Sequence, residues 1–105
     1  MQLVYNDKRI DVTECTSFVS RLRGFMFCNI IDKALLFNNC NSIHTFFMKK
    51  NIDVIMCDRD NNILYYFNNI SKNRIIWPKS GVYKTIELPV NFFDVKIDTK
   101  VRMVR

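Results

Sequence analysis

Apolar and polar residues alternate in short bursts along most of this chain. Residues 2–5 (QLVY) and 9–12 (RIDV) form two such bursts around Asn6-Asp7, whose side chains favour turns, and together they predict a short hairpin. The period then changes. In TSFVSRLRGFMF (16–27) the apolar residues Phe18, Val19, Leu22, Phe25 and Met26 follow the i, i+1, i+4, i+7, i+8 spacing of one helix face. Thr16 or Ser17 is placed to cap that helix by accepting a backbone N–H bond. Arg21 and Arg23 flank the stripe, and Gly24 either lies on the far side or ends the helix in a left-handed conformation.

Beyond this helix the bursts are all strand-like: 34–37, 42–48, 52–57, 62–67, 74–77, 83–88 and 101–104. DRDNN (58–62) reads as a tight hairpin loop, because asparagine tolerates positive φ better than most residues. Lys79-Ser80-Gly81 makes another turn. The run IDVIMC (52–57) is apolar on both faces, as expected of a central strand covered on each side. The expected fold is mainly β: a small single-domain β-barrel or sandwich spanning 1–105, with one N-terminal helix packed against it.

Composition supports this picture. At 105 residues and 49% apolar content, one domain with a real core is expected. A single alanine argues against a helical bundle, and abundant Phe, Tyr, Ile and Val favour strands. The net charge of +6 is spread from Lys8 to Arg105 without a run longer than two, which indicates a solvated surface. Nucleic-acid binding would require those groups gathered on one face, and no arginine-rich or ribonucleoprotein-type motif is present, so nucleic acid is not the expected partner. No leader or membrane-length apolar stretch is visible, and the expected setting is cytoplasmic, without membrane association.

Few local motifs carry chemistry. Cys15, Cys28, Cys40 and Cys57 contain no CxxC pair, so free thiols are expected rather than a metal or redox site. Asp58-x-Asp60-x-Asn62 opens like a calcium loop, but Ile63 stands where a glycine is needed and Asn69 where a bidentate glutamate is needed. Asp53 is the strongest anomaly, a carboxylate among Ile52, Val54, Ile55, Met56 and Cys57 that must be paired, hydrogen-bonded or protonated. It is either a structural group satisfied by a cation or by backbone amides, or the polar floor of a pocket. His44 is the chain's only histidine. Strand alternation places it on one face with Phe46 and Met48, fit for a pocket wall or a core edge.

These residues also occur in a recognisable order: Arg21-x-x-Gly24-x-Met26, His44-Thr45-x-x-Met48, Ile52-Asp53-Val54 and Glu87-Leu88-Pro89. The set resembles the domain of unknown function 192 family, also called uncharacterised protein family 127, from about Arg21 to the C-terminus. The resemblance implies a compact, mainly β domain with an early helix, and no established reaction. Two departures fall on turns. Asn61 stands where the family has a hairpin glycine, and Val90-Asn91 where it has Ala-Gly.

The favoured functional expectation is a binding or accessory module with a polar and aromatic pocket for an unidentified small molecule or protein. Arg21, His44, Thr45, Met48, Asp53 and Glu87 are the candidate binding residues. No cofactor or metal is implied, and oligomeric state is not legible. The alternatives are an enzyme using His44 as general base oriented by Asp53, and weak nucleic-acid binding through the basic surface.

Overall fold

The computed structural model describes residues 1–105 and shows a mainly β domain. In chain order the elements are β1 (Gln2–Tyr5), β2 (Lys8–Glu14), α1 (Phe18–Arg23), β3 (Ala34–Asn38), β4 (Ile43–His44), β5 (Ile52–Cys57), β6 (Ile63–Ile70), β7 (Ile75–Ile76), β8 (Lys84–Leu88) and β9 (Arg102–Val104). Seven strands form one sheet in the order β6-β5-β8-β3-β2-β1-β9, and β4 pairs with β7 in a separate ribbon. All neighbours are antiparallel except β2 and β3, the parallel pair that α1 connects. The sheet curls into a half-barrel. Near its two ends, Ile63 N donates to Thr99 O at 2.8 Å and Val101 N to Asn61 O at 3.2 Å, tying the start of β6 to the approach to β9.

The central strands β3, β5 and β8 are buried along almost their whole length, so strand alternation divides their side chains between two apolar layers. One layer takes Leu36, Ile55, Cys57, Ile86 and Leu88 together with Leu3, Ile10 and Val101. The other takes Leu35, Phe37, Val54 and Met56, and is closed by Phe25, Met48 and Ile76 from the loops and the ribbon. IDVIMC is thus the doubly covered strand that its two apolar faces indicated. The expected strands at 42–48 and 74–77 shorten to two residues each, because both chains turn away after pairing Ile43 with Ile76 and His44 with Ile75.

The helix differs from expectation in the face it buries. Ser17 caps it, accepting from Ser20 N, and Gly24 ends it at φ 49° and ψ −127°, a conformation suited to glycine. Only six residues are helical, so Phe25 and Met26 lie beyond the helix rather than on its stripe. Phe25 turns inward and is buried, whereas Phe18, Val19 and Leu22 remain 80%, 70% and 54% exposed. The apolar stripe therefore faces outward, and Phe25 is the anchor of this segment.

The turns are built largely from asparagine. Asn6, Asn39, Asn61, Asn69, Asn73 and Asn91 all have positive φ, taking the role glycine plays in chains richer in it. Asn61 and Asn91 are the two positions where the family pattern has glycine, and both keep the left-handed turn (φ 68° and 60°). In DRDNN, Asp58 Oδ1 accepts from the backbone N–H groups of Asp60 and Asn62, which makes it a side-chain-bridged hairpin turn. All four cysteines are free thiols, and no helix is long and apolar enough to cross a membrane.

Candidate functional site

Glu87 lies on β8, in register with Leu35 on one side and Val54 on the other. Its side chain therefore projects into the second apolar layer, beneath the end of α1. It is only 4% exposed, and its Oε1 is buried without any hydrogen-bond partner. Burial pushes its pKa up from 4.5 to about 7, opposed in part by the Phe25 backbone N–H. A buried polar atom left unpaired costs about 1–3 kcal/mol, so one that is retained calls for an explanation.

The space beside this carboxyl is a cavity of about 130 Å³, with Glu87, Arg21, His44, Phe46 and Met48 in its lining. Its roof is Gly24. A Cβ there would stand 3.0 Å from Glu87 Oε1, so glycine suits this position both for its positive φ and for the close approach. Arg21 reaches from α1 to the end of β3, donating through Nη1 to Asn38 O at 2.8 Å and through Nη2 to Asn39 O at 3.4 Å. It clamps the helix over the sheet. His44 Nδ1 accepts from Phe46 N at 3.2 Å, which leaves Nε2 as the N–H donor of the neutral ring. Its imidazole stacks on Phe46 at 5.1 Å. Strand alternation grouped His44, Phe46 and Met48. The structure keeps all three at the cavity through a turn rather than a strand.

Asp53 and Thr45 do other work. Asp53 pairs with Leu88 across β5 and β8. Its side chain thus lies on the face opposite Glu87 and does not enter the cavity. It accepts from Tyr66 Oη at 2.6 Å, Asn68 Nδ2 at 2.9 Å, Asn69 N at 2.8 Å and Asn91 N at 2.9 Å. This is the amide-satisfied structural carboxylate, with no cation beside it, and it pins the β6 bulge and the turn after β8. Burial, reinforced by the bond to Asp53, pushes the Tyr66 hydroxyl up to about 12. Arg21 and His44 make their hydrogen bonds elsewhere, so no His44–Asp53 pair forms. Thr45 is buried and donates to Ser71 O at 2.7 Å while accepting from Arg74 N at 2.8 Å, which fastens the β6–β7 turn.

Cys40, Ser42, Phe37 and Leu22 also line the cavity and were not singled out from sequence. None has a local signature. Cys40 donates to Ser42 O at 3.1 Å, a contact within a loop whose path only the fold determines. Glu87 itself entered the sequence reading through the family resemblance rather than through its own pattern.

The model of the family DUF192, described as uncharacterized ACR, matches residues 1–103. A UPF0127 protein of Thermococcus gammatolerans is 38% identical over 80 residues, covering 70% of this chain and 52% of the relative. A UPF0127 protein of Thermococcus kodakarensis is 36% identical over 80 residues, with 70% and 50% covered. The chain thus spans about half the length of these curated relatives. Two crystal structures share the fold. A protein of unknown function from Novosphingobium aromaticivorans superposes with a TM-score of 0.81 at 11% identity, covering 97% of this chain and 82% of that one. A putative transcription regulator from Sinorhizobium meliloti does so with 0.80 at 15% identity, covering 96% and 89%.

Proposed function

Because the chain belongs to the DUF192 family of uncharacterized proteins, we propose from its own geometry that it is a binding module for a small ligand bearing a hydroxyl or amine, seated in the cavity below α1. The observation that carries this reading is Glu87 Oε1, a buried acceptor with no partner that borders an open cavity. A ligand donor at that oxygen completes its hydrogen bonding. The apolar flank of the same ligand packs on Phe46 and Met48, the mixture of apolar wall and few polar anchors typical of small-ligand sites. Arg21 holds the helix and Gly24 in place above the carboxyl, and His44 is a further polar residue in the cavity lining. Asp53 and Thr45 belong to the scaffold.

The reading has a protonation signature. A donor from the ligand favours the ionised carboxylate, so it lowers the Glu87 pKa from about 7 and binding near neutral pH releases a proton. The test is a thermal-shift screen of small polyols, monosaccharides and amines against wild type and Glu87→Gln. Hits go on to calorimetry in two buffers of different ionisation enthalpy. Hits that weaken in Glu87→Gln and release a proton support the site. A screen without hits, or ligands that bind both proteins equally with no proton release, counts against it.

A further inference from the structure

A second surface, on the same side of the sheet as Glu87 but lined by different residues from its cavity, combines aromatic rings with cations. Tyr65 and Phe67 alternate along β6 and lie side by side, their centroids 6.3 Å apart and nearly parallel at 13°. Lys79 Nζ stands over both, at 5.6 Å and 6.0 Å from the ring centroids. Next to them runs a groove of about 400 Å³, walled by Phe67, Ile75 and Trp77 and edged by Arg74 and Lys79. No carboxylate lines it. Trp77 is 68% exposed and Ile75 43%, although Ile76 between them is buried. The β6–β7 turn adds the exposed Lys72.

This arrangement answers the requirement left open by the scattered charge. The sequence shows basic residues without a focus, whereas the fold brings Arg74 and Lys79 to one groove and sets flat rings beside them. Exposed aromatic rings such as Trp77 and Tyr65 offer surfaces that stack on planar, unpaired bases. Flanking cations neutralise the phosphates that connect those bases, and a net charge of +6 draws a polyanion in. A duplex hides its base faces and could use only the cations. We propose that this surface binds single-stranded nucleic acid, with bases stacked on Trp77 and against the exposed Tyr65, and phosphates held by Arg74 and Lys79.

The protein's single tryptophan makes the proposal directly readable. A ten-nucleotide oligothymidylate with a fluorescein label is titrated with the whole chain at low and moderate salt, following probe anisotropy, and an unlabelled one is followed by Trp77 emission. Binding is expected to quench the tryptophan and to weaken as salt rises. Trp77→Ala should cost about tenfold or more in affinity, the usual loss when a stacking ring is removed, and Trp77→Phe should recover part of it. The double variant Arg74→Ala/Lys79→Ala should flatten the salt dependence by roughly one phosphate contact per cation removed. These side chains are exposed or at the surface, and unchanged melting temperatures confirm intact folding. No binding at low salt overturns the proposal. So does binding that leaves Trp77 emission unchanged, or that is matched by polyphosphate or by duplex of equal charge, since each result means attraction by charge alone.

Discussion

Replacing Glu87 by Gln should remove a pH dependence of stability from this protein and leave its fold intact. Glu87 titrates at about 7 in the fold against an ordinary value of 4.5. At about 1.4 kcal/mol for each tenfold change in proton affinity, the gap is worth about 3 kcal/mol. The sign follows from which state holds the proton. Between pH 4.5 and 7 the unfolded chain ionises this carboxyl while the folded chain keeps it neutral. Rising pH therefore favours the unfolded state. The stability is fully present below pH 4.5 and is lost as pH rises through 7. The other displaced groups lie outside this window. Burial holds Cys57 at about 12 and raises Cys15 above its ordinary 9.0, and Tyr66 also stands at about 12, so all three stay protonated. Hydrogen bonds from Asn62 lower Asp58 from its ordinary 3.8, so it titrates at more acidic pH. Urea unfolding at steps from pH 4.5 to 8, for wild type and Glu87→Gln with a common m value, isolates the contribution as a difference between two curves. Wild type should lose about 3 kcal/mol relative to the variant across the series. Parallel curves, agreeing within about 1 kcal/mol, refute the burial argument and with it the orphan acceptor on which the proposed ligand site rests.

Three further outcomes follow from the same geometry. Gly24→Ala should destabilise the protein by about 1–3 kcal/mol in urea unfolding, because the new Cβ meets Glu87 Oε1 and the backbone must hold a glycine conformation; unchanged stability would mean that α1 shifts freely. Asp53→Asn turns one acceptor into a donor among four donors, so a loss of about 2–4 kcal/mol is expected, with ligand affinity at the Glu87 cavity unchanged in whatever fraction stays folded. Native-state alkylation at pH 8, read by mass spectrometry, should label the half-buried Cys28 and Cys40 and spare Cys57, which is fully buried and titrates at about 12; rapid Cys57 labelling would indicate local opening of the sheet.

Much of the fold was legible because strand periodicity is a local signal. The doubly apolar 52–57 segment announced a covered strand, and Ser17 and Gly24 bracket α1 as capping and left-handed chemistry require. The helix's burial was not legible. Its stripe spans two turns on paper, but the chain breaks at Gly24 and carries Phe25 off the helix axis, and no pattern rule reports that break as a change of face. The two carboxylates show the same limit from opposite sides. Asp53 stood out among apolar neighbours, yet its partners are the Tyr66 and Asn68 side chains and backbone amides 16 and 38 positions away. Glu87 did not stand out, because Thr85 and Glu87 alternate with Ile86 and Leu88 as on a strand with one wet face. Only the cover supplied by Phe25, Met48 and Ile76 makes that face dry. The basic residues likewise carry no order until the fold sets Lys79 over Tyr65 and Phe67 and brings Arg74 to the same groove.

The sheet sets one carboxylate against each of its faces, Asp53 saturated on one and Glu87 unfulfilled on the other. That arrangement divides the burdens that selection places on the molecule. On the proposed function, substitutions around the Asp53 lock are judged on whether the chain folds, whereas side chains such as Phe46 and His44 at the cavity are judged on what it captures. If the proposed site is the working one, a lineage carrying this domain can trade one ligand for another by editing a few side chains beneath α1, with the opposite face holding the architecture constant while the chemistry drifts.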